Sequence, residues 1–213
     1  MSSLLDCCKV GNIEGVRAAI EAGADTNQIY SYGKTPLIRA IRRKYIEIVE
    51  LLLANHADVN YVVPGGSTPL LWAVETDNKK IIKILLINNA NVNINDKYGY
   101  TPLMRATLRK NKKIVKILLC NKANINQATP VSKFTPLMYA ADHGYTKIVK
   151  ILLKNNATIT LVDRTGHTAL SYAMINECTD IENLIRNYLY NMLLDTSLNV
   201  LPRDILREII NYL

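Results

Sequence analysis

Residues Asp96–Ala128, DKYGYTPLMRATLRKNKKIVKILLCNKANINQA, decide how this chain folds. Asp96-Lys97-Tyr98-Gly99-Tyr100 is turn chemistry, in which Gly99 can take a positive φ that a side chain resists. Thr101-Pro102 then opens a helix: a hydroxyl N-cap followed by proline at the first helical position, where the missing N–H costs nothing. Leu103 and Ala106 give this short helix a small, packable face. Ile114, Val115, Ile117, Leu118 and Leu119 give a second helix a wide apolar stripe, and Ala123-Asn124-Ile125-Asn126 turns the chain outward again. Two such helices cannot bury both apolar faces alone, so the unit requires neighbours.

The neighbours are present. A threonine ahead of proline or alanine and leucine recurs at Thr35, Thr68, Thr101, Thr135 and Thr168, at spacings of 33, 33, 34 and 33 residues. The later halves agree as well: Ile48-Val49, Leu52-Leu53, Ala57 and Asn60 in one copy match Ile148-Val149, Leu152-Leu153 and Ala157 in another. A fixed period near 33 with this T-P-L start resembles the ankyrin repeat, a turn plus two antiparallel helices. The resemblance runs from about Ser2 to Tyr190 and implies an all-α solenoid of helix-turn-helix pairs with β-hairpin loops. It predicts a right-handed stack in which each unit contacts its nearest neighbours. The units are residues 1–29, an N-terminal cap; 30–62, 63–95, 96–128 and 129–162, full repeats; and 163–190, a degenerate last repeat. Residues 191–213 are a linker and a final helix.

Local departures carry expectations of their own. In the first unit Ser3-Leu4-Leu5 replaces Thr-Pro-Leu, and Gly23 stands at the helix C′ position, the place for a left-handed residue. His56, Asn89, Lys122 and Asn156 occupy that same place later. Asparagine accepts the left-handed region, whereas lysine and histidine do so less readily, so the array should be less stable than an idealised one. Pro64-Gly65-Gly66 suggests a loose hairpin tip. The unit 129–162 holds one extra residue, with Lys133 where a turn glycine is expected, so its hairpin should deviate locally. Asp195-Thr196-Ser197 reads as the break before the final helix.

Composition narrows the function classes. Of the 213 residues, 49 % are hydrophobic and 21 % charged, which suits a folded chain. No apolar run approaches the roughly 18 residues that span a bilayer, and the start MSSLLDCCKVGN lacks the basic and apolar regions of a signal peptide. Cys7, Cys8, Cys120 and Cys178 form no C-x-x-C pair and read as reduced thiols. His56, His143 and His167 sit in turns without a nucleophile or carboxylate partner set, and no phosphate-binding or metal-ligand motif occurs. The chain reads as a non-enzyme without cofactor or metal. The net charge of +8 draws heavily on Lys79, Lys80, Lys83, Lys112, Lys113, Lys116, Lys147, Lys150 and Lys154. These lie on second helices, the convex solvated faces, and no nucleic-acid motif accompanies them, so nucleic-acid binding is disfavoured.

The ankyrin resemblance implies a concave target-binding face made by hairpin tips and the exposed side of each first helix. Mapped onto this sequence, that face comprises Tyr32, Lys34, Arg39, Arg42, Arg43, Trp72, Tyr98, Tyr100, Arg105, Arg109, Phe134, Tyr139, His143 and Tyr172. Glu75, Thr76, Lys97 and Asp142 accompany them. One repeat position runs Arg39, Trp72, Arg105, Tyr139, Tyr172. These side chains could form an arginine–aromatic ladder, either as interface hot spots or as a self-satisfied cation–π stack.

The last stretch, LPRDILREIINYL, places Leu201, Pro202, Ile205, Leu206, Ile209, Ile210 and Leu213 on one apolar stripe. It resembles the first part of an F-box, L-P-x-E-I-L-x-x-I-x-x-x-L, with Asp204 in place of the glutamate. Behind ankyrin repeats this order is similar to that of the poxvirus ankyrin proteins with a C-terminal F-box-like (PRANC) segment. That resemblance implies a monomeric host-range adaptor in the host cytoplasm, with the nucleus as an alternative. It would hold a host target protein on the repeats and the Skp-type adaptor of the SCF cullin ubiquitin ligase on residues 201–213. Because a complete F-box continues past this pattern, weaker adaptor binding, or a truncated product that does not engage the ligase, is expected. The alternative is a plain ankyrin binding or decoy module whose last helix caps the stack.

Overall fold

The computed structural model describes residues 3–195, so the expected F-box-like segment, Leu201–Leu213, lies outside the described residues. The chain divides into two compact units, one ending at Asn124 and the other beginning at Ile125. The first holds α1 (Leu4–Val10), α2 (Ile13–Glu21), α3 (Pro36–Arg43), α4 (Ile46–Ala54), α5 (Pro69–Glu75), α6 (Lys79–Ile87), α7 (Pro102–Leu108) and α8 (Lys112–Cys120). The second holds α9 (Pro136–Asp142), α10 (Thr146–Lys154), α11 (Ala169–Ile175) and α12 (Thr179–Asp195).

Helix starts follow from side-chain chemistry. Thr35, Thr68, Thr101, Thr135 and Thr168 all have extended backbones, and each hydroxyl accepts from the amide three residues on, at 3.2–3.3 Å. Ser3 does the same for α1 at 3.2 Å. Asn12, Asn78 and Asn111 cap second helices in the same manner. Such a cap stabilises a helix by about 1 kcal/mol over alanine, which matters for elements of seven to nine residues.

Packing is serial. In the first unit α1 lies on α3, α3 on α5 and α5 on α7, while α2 meets α4 and α4 meets α6. Ile38, Ile41, Leu70, Met104, Ile81 and Leu118 are each 0–1 % exposed and form the core between them. In the second unit α9 packs on α11 and α10 on α12, around Val149, Leu152, Ile181 and Ile185. Residues of α12 run without a break through the expected boundary at 190, because nothing from Thr179 to Asp195 supplies a glycine or proline stop.

Repeats are tied by a polar device as well as by apolar packing. The side-chain carbonyls of Asn27, Asn60 and Asn93 accept from the amides of Asp58, Asn91 and Asn124 in the following repeat at 2.6–2.7 Å. The amide groups of Asn27 and Asn60 also donate to the carbonyls of His56 and Asn89. In the second unit Asn126 accepts from the Thr158 amide at 2.9 Å. His56 and Asn89, thus held, are left-handed, and so are Lys122 and Asn156: all four have φ of 62–64°, matching the expectation drawn from Gly23.

The hairpins are closed loops and not paired strands. Each has a single amide returning to the carbonyl four residues on, as Asp96 to Tyr100 and Asp163 to His167, and the described residues contain one isolated bridge, Tyr30 to Lys34. The hairpin with the extra residue is wider by one: its return bond runs from Thr129 to Phe134, with Lys133 at φ 61°. Pro64–Gly66, expected to be loose, is closely packed at Pro64 and Gly66 and open at Gly65. A Cβ on Gly66 would lie 2.3 Å from the Lys97 backbone nitrogen, and one on Gly33 would lie 2.1 Å from Pro64. Gly33 and Gly66 admit the neighbouring hairpin, whereas Gly65 has open space around it.

Candidate functional site

The face formed by hairpins and first helices differs in chemistry between the two units. In the first unit it is cationic. Arg42 and Arg43 are exposed at the end of α3, and the Arg42 guanidinium lies 4.7 Å from the centre of the Trp72 ring. At the tips Lys34 sits 5.2 Å over Tyr32 and Lys97 sits 4.8 Å over Tyr98. Tyr32 is 87 % exposed and Tyr98 63 %. Such rings, held in place by a cation and otherwise open, are low-entropy contact surfaces.

Arg105 does something else. Its guanidinium lies 4.5 Å over Tyr100 and pairs with Asp96, the first residue of its own hairpin. The buried Asp96 carboxylate also accepts from the amides of Tyr98 at 2.9 Å and Tyr100 at 3.0 Å. Arg105 therefore braces the hairpin. Glu75 extends the brace from the adjacent repeat, 3.1 Å from Arg109 and 3.8 Å from Arg105, so Arg109 is partly neutralised.

In the second unit the same position carries a phenol. Asp163 accepts from the amides of Thr165 and His167 at 2.8 and 2.9 Å and from the Tyr172 hydroxyl at 2.6 Å. Burial pushes the Asp163 carboxyl up, but the hydrogen bonds from Tyr172, His167 and Thr165 outweigh it and hold it well below the usual carboxylate range. Burial and the hydrogen bond to that carboxylate push the Tyr172 phenol up to about 12. Around this brace lies an aromatic cluster: Phe134 is 4.7 Å from Tyr139 and 4.9 Å from Tyr172, and His167 is 5.7 Å from Tyr172. His143 is 42 % exposed at its side chain, beside Asp142.

The ladder expected along Arg39, Trp72, Arg105, Tyr139 and Tyr172 therefore needs correcting. Asp96 and Asp163 draw Arg105 and Tyr172 onto their own hairpins, and the cation over Trp72 is Arg42, not Arg39. Tyr139 is only 9 % exposed beside Phe134, so it belongs to the core side of the cluster. By sequence Asp96 reads only as a turn former, and Asp163 as the start of the last repeat. Their signal was a carboxylate nine residues before a donor, a spacing that acquires meaning once the loop and helix geometry is known.

Two donors in the first unit stand out. Trp72 Nε1 and Arg39 Nε are buried, and neither has an acceptor among the described groups. Trp72 also lines a cleft of about 290 Å³ with Ser67, Leu71, Glu75, Asp96 and Arg105. Buried unpaired donors are rare and cost about 1–3 kcal/mol each. Elsewhere the chemistry is quiet. The four cysteines are free, and burial, with a smaller effect from Cys7, pushes the Cys8 thiol up to about 12, far from a reactive thiolate. Among the described residues no His/Cys/Asp/Glu group is arranged to hold a metal, and no helix is long and apolar enough to cross a membrane.

Comparison with known proteins agrees with this geometry. The crystal structure of an ankyrin repeat domain from Acinetobacter baumannii AYE superposes with a TM-score of 0.82 at 26 % identity, covering 87 % of this chain and 96 % of that one. A search of curated proteins gives no match. A family model described as ankyrin repeats (3 copies) matches residues 1–63, 56–129 and 127–192. Nearly the whole chain to residue 192 is thereby accounted for, and the protein belongs to the ankyrin repeat family, whose members are protein-interaction modules.

Proposed function

We propose that this protein captures a partner protein on the cationic hairpin-and-helix face of its first unit, with Trp72 as the anchor. One observation carries the reading: the Trp72 indole, whose Nε1 stands without an acceptor, lines a cleft and lies under the exposed Arg42. A partner offering carbonyl or carboxylate acceptors would pair with the exposed Arg42, which already lies over the indole. The finer reading is a viral host-range adaptor acting in the host cytoplasm, with Leu201, Pro202, Ile205, Leu206, Ile209, Ile210 and Leu213 engaging the Skp-type adaptor of a host cullin ubiquitin ligase. Its support is the F-box-like pattern of those residues following the repeats.

Affinity purification from infected or transfected cells tests both ends. Replacing Arg42 and Trp72 by alanine should abolish target capture while helix content and melting stay close to wild type. Arg105 is a poor choice, since its loss also unlocks a hairpin. Substituting Ile205 and Ile209 by aspartate should remove ligase subunits from the eluate and leave the target. If the unmodified protein brings down no adaptor, it is a capture or decoy module alone. If the Arg42/Trp72 variant still captures its target, the anchor lies elsewhere.

A further inference from the structure

The second helices of the first unit segregate charge. α2 and α4 carry Glu14, Glu21, Glu47 and Glu50 against a single Arg17, whereas α6 and α8 carry six lysines and no acid. The arrangement works against the helices that bear it. Lys79, Lys80, Lys112 and Lys113 lie in first turns, where the helix dipole repels cations, and Lys83 and Lys116 stand three or four residues on, where like charges repel. Of the six, only Lys79 has a carboxylate within reach among the described residues, Asp77 at 2.9 Å. Glu14 and Glu47 show that the same unit elsewhere places acids in first turns, with the dipole. Solubility needs charge, but not charge of one sign at the unfavourable ends of two neighbouring helices.

Between these helices runs a groove of about 400 Å³, lined by Leu86, Ile87, Ile117 and Cys120 together with Lys83 and Lys116. Ile87 is 80 % exposed, a large apolar residue left in water at the end of α6. An apolar recess between lysines has two demands, side chains to fill it and carboxylates to flank it. An amphipathic helix with apolar residues at i, i+3, i+4 and i+7 and acidic residues beside them meets both. Nucleic acid meets only the second, because the patch offers no arginine fork and no aromatic platform for bases. A bilayer surface would call for apolar side chains that protrude over an area, and here they line a recess.

We propose that the α6–α8 groove docks an acidic amphipathic helix of a partner protein, independently of the capture face. Lys83 and Lys116 select the charge, and Ile87 supplies the central apolar contact.

The test uses two designed helical peptides of about five turns with the same leucine stripe, one flanked by glutamates and one by lysines. Binding to the full chain is read by fluorescence anisotropy. The glutamate peptide should bind at least about tenfold tighter than the lysine peptide, and its affinity should fall with added salt. Ile87→Asp should weaken it by about tenfold or more, and Lys83→Glu with Lys116→Glu should invert the preference between the peptides. All three residues are exposed, so melting of these variants should match wild type. The Arg42/Trp72 alanine variant should bind the glutamate peptide unchanged, which separates this site from the capture face. Equal binding of the two peptides, or indifference to Ile87→Asp, overturns the proposal. So does a result in which single-stranded DNA or phosphatidylserine vesicles bind through these lysines and the glutamate peptide does not. Self-association of the wild type that Ile87→Asp abolishes would make a second copy the occupant and likewise overturn it.

Discussion

Asp96 in the first unit and Asp163 in the second occupy the same repeat position and perform the same task with different partners. Each carboxylate gathers two hairpin amides and is locked by the side chain nine residues on. In one unit the lock is an arginine and in the other a tyrosine. The backbone is indifferent to the choice, but the surface is not. An arginine lock belongs to a face that also presents Lys34, Arg42, Arg43 and Lys97, and a tyrosine lock belongs to a cluster with Phe134 and His167. Hairpin geometry and surface charge are therefore separable, which lets one repeat scaffold present two chemistries.

The sharpest way to probe that equivalence is at the hairpin glycines. Gly66 and Gly166 have φ of 83° and 86°, yet a Cβ on Gly66 meets the Asp96–Lys97 backbone and one on Gly166 meets nothing. Gly66→Ala should cost about 2–5 kcal/mol, the sum of a left-handed penalty and overpacking against backbone that cannot yield. Gly166→Ala should cost about 1–2 kcal/mol, the conformational part alone. Urea denaturation at matched m-values measures both. Equal costs would mean that the hairpins of the first unit are not in the close contact described.

A smaller effect probes the tyrosine lock by pH. Tyr172→Phe removes a hydrogen bond to a carboxylate and should cost about 1.5–3 kcal/mol at neutral pH. The phenol is raised to about 12 in the fold against about 10 unfolded, so its stabilisation is complete below pH 10 and is lost as pH rises through 12. The Asp163 carboxyl is depressed, so its contribution is complete above the unfolded value near 4 and is lost as pH falls below it. The difference in stability between wild type and Tyr172→Phe should therefore be flat from about pH 5 to 9 and shrink at both ends. A difference that remains constant to pH 12 would show that the phenol is not committed to Asp163.

How much of this was legible beforehand depends on the range of the interaction. The threonine caps, the Gly23-equivalent left-handed sites and the widened hairpin at Lys133 are local, and the sequence pattern announces them. The Asp96–Arg105 and Asp163–Tyr172 locks join a loop to a helix, so their partners become visible only when both elements are placed. The Asn27, Asn60 and Asn93 ties reach 31 residues ahead to backbone amides, which no side-chain pattern reports. Glycine misled at Gly66 because flexibility and close approach select the same residue, and only the neighbouring backbone tells them apart.

The finest comparison concerns one left-handed site in each unit. Lys122 and Asn156 have φ of 63° and 62°. Their amides donate to Leu119 and Leu153 at 3.1 and 3.0 Å, and the alanines that follow donate to Leu118 and Leu152 at 3.1 Å. With the backbone matched, only the side chain differs. A left-handed conformation costs an ordinary L-residue about 1–2 kcal/mol, asparagine tolerates it, and glycine gives back about 0.5–1 kcal/mol through the entropy of the unfolded chain. Lys122→Gly should therefore stabilise the protein by about 0.5–1 kcal/mol, while Asn156→Gly should leave it unchanged or slightly weaker. Lys122→Asn separates strain from chain entropy, since it relieves the first without adding the second, and it should gain at least as much as glycine. Chemical denaturation of the three variants at constant m-value resolves shifts of this size. If Lys122→Asn gains nothing, left-handed strain is not what distinguishes the two sites.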